Sequence, residues 1–322
     1  MNERDRDAPD QQAGDRAGDG SPRDGAATAH PDEKTNAFNQ YRRLLLSIAY
    51  RMLGSMAEAE DLVQDAYIRW QQTSTPVRSP RAFLVTTVSR LCINHLQSAR
   101  VQREVYVGTW LPEPVIADEP SERPGASDES ISIAFLLLLE RLTPAERAVF
   151  LLREVFEYEY GEIASILNQS AVACRQILRR ARRHMAENRP RFTPSPEQRA
   201  NLLKEFLQAS ARGDLDGLVA LLHQDVVLYA DGGGKTTAIL QPILGPARVA
   251  RFILRAPRKL LPPDLVRRFT DVNGQPAIVA YRYGRVHSVF TIEVDAGSIR
   301  NIFIMSNPEK LSHLPDLPGA PF

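Results

Sequence analysis

The sequence predicts a multidomain protein in which two all-helical modules are followed by an α+β domain. The chain has 322 residues, more than a single hydrophobic core usually serves. Apolar residues recur at helical spacing as far as residue 189, whereas β-branched and aromatic runs bounded by turns are concentrated after residue 197. The apolar share of 43% and the charged share of 25% are those of a globular protein.

No apolar stretch is long enough to cross a bilayer, and the first residues lack the apolar segment of a signal peptide. We therefore expect a cytoplasmic protein without a membrane partner. Cys92 and Cys174 are the two cysteines, and both lie inside predicted helices, so we expect small buried side chains rather than a disulfide or zinc site. A redox role for Cys174 is the alternative. The scattered histidines predict no metal site, and no cofactor is expected.

The first module is predicted between residues 36 and 100, after a disordered tail at 1–35 that contains no aromatic residue and no Val, Ile or Leu. Its first helix ends at Gly54. The second begins at Ser55, which forms a predicted capping box with Glu58. The inward side chains of that helix are predicted to be Leu62, Ala66, Ile68 and Trp70. A third helix follows over residues 81–100.

The second module is predicted between residues 131 and 189, after an acidic linker at 101–130. One helix covers residues 131–142, and Thr143, Pro144 and Glu146 then begin another with the preferred cap, first-turn proline and capping glutamate. A further helix ends at the polar turn 168–170, and the next helix follows directly. This order predicts a helix-turn-helix, whose last helix can enter the major groove of DNA.

That last helix carries concentrated positive charge in a chain of formal net charge +1. The segment from Ser170 to Met185 has five arginines, one histidine and no acidic residue. One face is predicted to pack, and the other residues are predicted to meet DNA, since arginine reads guanine edges and glutamine reads adenine. A solvated face of an ordinary helical hairpin is the alternative. The packing face comprises Ala171, Cys174, Leu178, Ala181 and Met185.

The third domain is predicted at residues 197–322 as helices followed by an antiparallel sheet. Helices are expected at 197–212, 214–222 and 246–255, and strands at 226–230, 277–283, 286–294 and 298–305. A turn is expected at 231–235.

Residues 36–185 resemble the sigma-70 family of bacterial transcription factors, specifically its compact extracytoplasmic-function (ECF) group. The resemblance rests on AYRMLGSMAEAEDLVQDAYIRW, on RAFLVTTVSRLCINHLQSAR and on the basic helical hairpin. It implies promoter-specific initiation with core RNA polymerase, which would contact the chain through the clamp of its largest subunit and through its flap. It places Asp61, Gln64 and Asp65 on the polymerase-binding surface, although ordinary surface charge would look the same.

The resemblance also implies which residues lie on promoter DNA, with the loop 73–80 as a candidate for holding an unstacked base. Gln97 and Ser98 depart from the family, since many relatives carry arginine there. In the first module the DNA-binding residues would be Arg78, Arg90, Asn94 and Arg100. In the second module they would be Arg175, Gln176, Arg179 and Arg180, with Arg182 and Arg183 mainly on phosphate.

The last third resembles the SnoaL-like fold, a cone-shaped α+β fold of the cystatin or NTF2 type, in a subgroup of ECF sigma factors that carry it fused. Three short strings carry this resemblance: WLPEP from Trp110, DGGGK from Asp231 and NPEKL from Asn307. Since Trp110 stands in a polar linker, we expect it to anchor on the third domain and to tune activity in cis. The interdomain residues would be Trp110, Leu111, Pro112, Asp231, Gly232, Gly233, Gly234, Lys235, Asn307, Pro308 and Lys310.

Three alternatives remain open for the third domain. A phosphate-binding loop is disfavoured, because Tyr229 stands where that motif needs glycine. An isomerase or hydrolase tethered to DNA would use Asp231 and His287, although fold alone does not carry chemistry. A small-molecule ligand in the third domain is also compatible with the sequence. A stand-alone ligand-responsive repressor is the other alternative, and it is disfavoured because a repressor has no need of the first module. We expect a protein that is not an enzyme.

Overall fold

The computed structural model describes residues 31–104, 106–116, 132–186, 195–255 and 264–317. Three helices form the first module: α1 (Pro31–Leu53), α2 (Met56–Gln72) and α3 (Pro80–Glu104). The predicted tail is therefore wrong at its end, since residues 31–35 belong to α1, and the predicted linker is wrong at its start, since α3 includes 101–104. Residues 1–30 of the tail lie outside the described part of the chain. Within that part, no helix is long and apolar enough to span a membrane.

The second module contains α4 (Ile133–Leu139), α5 (Pro144–Phe150), a π-helical turn (Leu151–Val155), α6 (Tyr160–Leu167) and α7 (Ala171–Ala186). The predicted capping box of Thr143 and Glu146 is present at the start of α5. Asn168, in the left-handed region at φ 53°, ends α6. The helix-turn-helix is thus confirmed, whereas the predicted helix 131–142 is shorter at both ends.

The two modules share one hydrophobic core, since residues from α1 to α3 and from α4 to α7 form a single buried cluster. Polar contacts join the modules as well. The buried guanidinium of Arg147 in α5 donates to the carbonyl of Met52 over 2.6 Å and pairs with Glu140 at 2.7 Å. In this arrangement the two modules are packed against each other.

The third domain is an α+β fold with a six-stranded sheet. Its helices are α8 (Pro196–Arg212), α9 (Leu215–Leu221), α10 (Pro246–Arg255) and α11 (Pro308–Leu311), and its strands are β1 (Leu222–Asp231), β2 (Ile243–Leu244), β3 (Val266–Val272), β4 (Gln275–Arg282), β5 (Arg285–Asp295) and β6 (Ser298–Met305). The strand order is β2-β1-β6-β5-β4-β3, and the β1–β6 pair is parallel. The predicted antiparallel sheet at the C-terminal end is confirmed for β4, β5 and β6, whereas the parallel pairing of β1 with β6 was not predicted.

The two faces of the sheet bury different partners because successive side chains of a strand point to opposite faces. Ile278 and Ile302 pack with α8, α9 and α10 on one face. Val279 and Phe303 pack on the other face with Leu111 of the linker and with Ile133 of α4. The sheet therefore lies directly against the second module and the linker.

Several elements differ from the sequence prediction. Strands β2 and β3 and helix α11 were not predicted, although Asn273–Gly274 between β3 and β4 is a strong hairpin dipeptide. Ile68, predicted to point inward, is exposed. Ser55 accepts from the Glu58 amide, but the described bonds of this cap do not include the return bond from the Ser55 amide to Glu58. The Glu113 carboxylate instead accepts from the Met56 and Ala57 amides.

Candidate functional site

Helix α7 presents the basic surface that its periodicity predicts. Cys174, Leu178, Ala181 and Met185 are buried and Ala171 is half-buried, so the packing face is confirmed. The predicted DNA-binding residues all lie on the exposed face: Arg175, Gln176, Arg179, Arg180, Arg182 and Arg183.

Some of these cations already have partners on the same module. Arg182 pairs with Glu154 at 2.8 Å, Arg180 lies 3.6 Å from Glu146, and the Arg175 guanidinium lies 5.0 Å from the centre of the Tyr160 ring. The Arg182–Glu154 pair lies at the surface, where an ion pair is worth at most about 1 kcal/mol, so a phosphate can replace Glu154. The surface is therefore available to an anionic ligand.

The predicted DNA-binding residues of the first module differ from one another in exposure and in their partners. Arg78 and Asn94 are exposed, and Arg100 lies in α3 with its side chain outside the described part. Arg90 instead donates to the carbonyls of Ile166, over 2.8 Å, and Ser165, over 3.3 Å, at the end of α6. An arginine there satisfies carbonyls that the helix leaves unpaired. Arg90 is exposed but has partners within the protein in this arrangement, and its contact with DNA stays a prediction.

Helix α2 exposes the residues predicted for polymerase binding. Asp61, Gln64 and Asp65 lie at its solvent surface. Ala59, Val63, Ala66 and Trp70 hold the opposite side of the helix in the core. The acidic surface is thus presented by a helix whose orientation is fixed by packing.

The interdomain site is built around the carboxylate of Asp231, at the end of β1. One oxygen accepts from the Tyr106 hydroxyl over 2.5 Å and from the Gly233 amide over 3.0 Å. The other accepts from the Leu111 amide over 2.8 Å and from the Lys310 ammonium over 2.7 Å. Four donors use all the usual acceptor positions of a carboxylate, and the side chain is fully buried.

Lys310, in the short helix α11, closes the other side of the site. Its ammonium group donates to the Leu111 carbonyl over 2.5 Å and lies 4.2 Å from the Trp110 ring centre and 4.9 Å from that of Tyr106. Both polar groups of the Leu111 backbone are therefore held by one buried ion pair. The DGGGK and NPEKL strings meet directly too, because the Asp231 carbonyl accepts from the Ser306 and Asn307 amides.

Glu113 connects the linker to α2. Its carboxylate accepts from the Ser55 hydroxyl over 2.8 Å and from the Met56 and Ala57 amides over 2.6 and 3.3 Å. A carboxylate at a helix N-terminus satisfies unpaired amides and complements the helix dipole. The linker thus supplies the cap of the helix that carries the predicted polymerase surface.

A second set of bonds fixes the linker to the β3–β4 turn. The Asn273 backbone amide donates to the Val115 carbonyl over 2.8 Å, and the Asn273 side-chain oxygen accepts from the Val115 amide over 2.9 Å. The side-chain nitrogen of Asn273 also donates to the Tyr50 hydroxyl over 2.6 Å. Tyr50 in turn donates to the Glu113 carbonyl over 2.7 Å. Burial raises the pKa of Tyr50 above its usual value. The hydroxyl therefore remains a donor.

The sequence predicts that Trp110 anchors the linker on the third domain. In the structure, Leu111 is more deeply buried than Trp110. Trp110 is half-buried and lies against the turn between α1 and α2. Gly54 there has φ +72°, and a β-carbon on it would approach Trp110 Cη2 to 2.7 Å. Glycine at this position thus allows both the turn and the close approach of the ring.

The other predicted interdomain residues divide into two groups. Pro112 and Asn307 are buried, and Asn307 donates to the Tyr106 hydroxyl over 2.9 Å. Gly233 lies tightly against Asn307, Gly234 approaches Val107, and Gly232 packs on Thr236 and Ala238 of its own loop. Lys235 instead pairs with Glu309 inside the third domain, and Pro308 is exposed, so the interdomain role of these two residues stays a prediction.

Sequence reasoning missed Tyr106, Tyr50, Asn273 and the role of Glu113. Glu113 was visible only as one acid of the linker, and the remaining linker acids beyond residue 116 lie outside the described part. Cys92 and Cys174 are buried as expected. Burial raises the pKa of the Cys92 thiol to about 12 and raises that of Cys174 also, which disfavours redox chemistry at either.

Two packed helical modules, one ending in a basic helix-turn-helix, and a fused α+β domain define a multidomain DNA-binding protein. Residues 37–101 match sigma-70 region 2, and residues 132–185 match sigma-70 region 4. The chain is 34% identical to the ECF RNA polymerase sigma factor SigJ of Mycobacterium tuberculosis, over 88% of this chain and 94% of SigJ. The chain belongs to the ECF sigma factors of RNA polymerase.

Two further comparisons agree. The crystal structure of M. tuberculosis SigJ matches with a TM-score of 0.70 at 33% identity, and it covers 86% of this chain and 98% of that one. SigG of M. tuberculosis is 29% identical over 82% of this chain and 78% of its own length. The predicted architecture, sigma modules followed by an α+β domain, is thereby confirmed.

Proposed function

We propose that this sigma factor binds core RNA polymerase through the exposed acidic face of α2 and contacts promoter DNA through α7. The cytoplasm is then its place of action, with the clamp of the largest subunit and the flap as its polymerase contacts. The observation that supports this most directly is that Asp61, Gln64 and Asp65 are exposed on a helix fixed from its other side. A basic partner surface would be complementary to this face.

The polymerase contact is tested by measuring the affinity of the full chain for core polymerase. Reversing two charges with D61K/D65K should weaken binding at least tenfold. The variant E205K/D225K makes the same charge change at exposed positions of the third domain and should bind like the unmodified chain. Equal affinity of all three proteins would contradict the proposal.

We propose further that the third domain tunes initiation through the linker residues 106–116. The Asp231–Lys310 pair holds the Leu111 backbone, and two residues later Glu113 caps α2. The third domain and the polymerase-binding helix are thus connected by a short chain of buried bonds. Releasing Leu111 would weaken the cap of α2 and remove one of the contacts between the linker and the sheet.

The cis effect is tested by promoter-directed transcription in vitro with core polymerase. Asp231→Asn should change the amount of transcript severalfold, because one donor, Lys310, then loses its charged acceptor. Asp264→Asn, an exposed acid of the same domain, should leave the amount unchanged. If both variants transcribe like the unmodified chain, the third domain does not act through this contact.

We infer that the chain is not itself an enzyme. The acceptor capacity of Asp231 is used by four donors, and the described partner of the His287 ring is Ser288. On the helix-covered face of the sheet, apolar side chains fill the space, with Phe206 and Phe290 stacked at 5.7 Å. Among the described residues, this apolar packing does not favour a small-molecule ligand on that face of the sheet. Turnover of an isomerase or hydrolase substrate that is lost in Asp231→Asn would contradict the inference.

A further inference from the structure

A second basic segment lies in the third domain. From Gly232 to Pro263 the sequence has no Asp or Glu and has six cations. One of them, Lys235, pairs with Glu309. The others are Arg248, Arg251, Arg255, Arg258 and Lys259.

Helix α10 orders three of these cations on one face. Val249 and Ala250 are buried against β1 and α9, whereas Arg248, Arg251 and Arg255 are exposed. The spacing i, i+3, i+7 places the three arginines along one side of the helix, with axial separations of about 4.5 and 6 Å. The helix is thus strongly amphipathic, and its polar face is cationic.

These arginines lack acidic partners among the residues that the structure describes. None of the three forms an ion pair or a hydrogen bond there, in contrast to Arg182 of α7, which pairs with Glu154, and Arg282 of β4, which pairs with Asp264. A row of unpaired cations on a rigid helix raises the local potential and attracts polyanions.

The apolar side of α10 distinguishes between anionic partners. A membrane-surface helix inserts its apolar face among lipids, but that face of α10 is already packed in the domain core. Duplex DNA needs only cations, since it carries one phosphate per about 1.7 Å of axis and arginine binds phosphate in a bidentate manner. The exposed face of α10 fits that ligand.

We infer that α10 is a second DNA-binding surface of this protein, which contacts the phosphate backbone without reading sequence. The inference rests on the proposed function for the choice of DNA as ligand. It assigns the third domain a direct contribution to promoter affinity, separate from its hold on the linker.

The test measures binding of the full chain, without polymerase, to a labelled 30-base-pair duplex of mixed sequence while salt is varied. Each lost phosphate contact lowers the slope of log affinity against log salt by about 0.9. For R248S/R251S/R255S we therefore expect a slope lower by about 2 to 3, and affinity reduced at least tenfold at low salt. The control R267S/R268S/R285S removes three exposed arginines from β3 and β5 and should retain the slope.

Three results would overturn the inference. The α10 variant could bind with the slope of the unmodified chain, or both triple variants could lose slope equally, which would mean that only net charge matters. The α10 variant could also keep its affinity for DNA and lose its affinity for core polymerase, which would mean that the α10 surface binds an acidic protein surface instead of DNA. Because the duplex assay omits polymerase, failure of polymerase binding would instead count against the proposed function alone.

Discussion

The basic surface of α7 and the interdomain site around Asp231 both depend on cations, but they use them in opposite ways. The α7 arginines lie within nine positions of one another and face solvent. Lys310 is buried and joined to an acid 79 positions away. An exposed cation can change partners at little cost in free energy. Removing one member of a buried pair, in contrast, strongly destabilises the fold, because the other charge is left buried without a partner. The first surface is therefore suited to binding, and the second to holding geometry.

The largest effect on stability is expected for Asp231→Asn. The substitution keeps the shape of the side chain but leaves the Lys310 ammonium buried without its charge partner, which costs about 3 to 5 kcal/mol. Thermal unfolding of the full chain should detect it. Adding Lys310→Met removes the second charge and should recover most of the loss; a double variant as unstable as the single one would contradict the role of the pair.

A smaller effect is expected for Gly54→Ala. The new β-carbon would clash with the Trp110 ring, and the residue would have to keep a positive φ, at a combined cost of about 1 to 3 kcal/mol. Fluorescence of Trp110, measured in the Trp70→Phe background, should shift as the ring is displaced. Gly213→Ala, also at positive φ but with open space around it, is the control and should not shift the emission.

Glu113→Gln should cost about 1 kcal/mol, because the cap of α2 loses its charge but keeps its hydrogen-bonding shape. The temperature of thermal unfolding and the affinity for core polymerase should both decrease. The variant Glu58→Gln tests the capping box that the sequence predicts, whereas Glu113→Gln tests the cap that the structure shows. A larger loss of stability in Glu58→Gln than in Glu113→Gln would favour the predicted capping box.

The smallest effect on stability is expected for Arg179→Ala, within about 0.5 kcal/mol, because the side chain is exposed. Its effect on DNA should be larger, with binding to a promoter fragment weakened several-fold or more. Lys204→Ala, at an exposed position of α8, should change neither quantity. A marked loss of stability in Arg179→Ala would mean that α7 uses this residue for packing.

Much of the fold follows from local sequence. The packing stripe of α7, the cap at Thr143 and the helix-turn-helix need only the spacing of neighbouring residues. The same holds for α10, whose predicted bounds match the observed ones. Strand β3 was missed because its exposed, arginine-rich sequence lacks the apolar alternation of a half-buried strand.

The candidate site was only partly predictable. The three strings around Trp110, Asp231 and Asn307 are visible in the sequence, and the structure brings them together. The partners of Arg90 and Glu113 were not visible, because they lie 76 and up to 58 positions away. No periodic pattern links residues at such separations.

By itself, the sequence determined the helical modules, the α+β domain and the concentration of charge on α7 and α10, since these depend on interactions within a few turns of chain. Only the tertiary structure decided that Leu111 is held by a buried ion pair, that Glu113 caps α2 and that Arg90 donates to the last carbonyls of α6. The physical reason is that a buried charge or an unpaired helix end accepts any partner of suitable chemistry. Packing of the whole chain selects that partner.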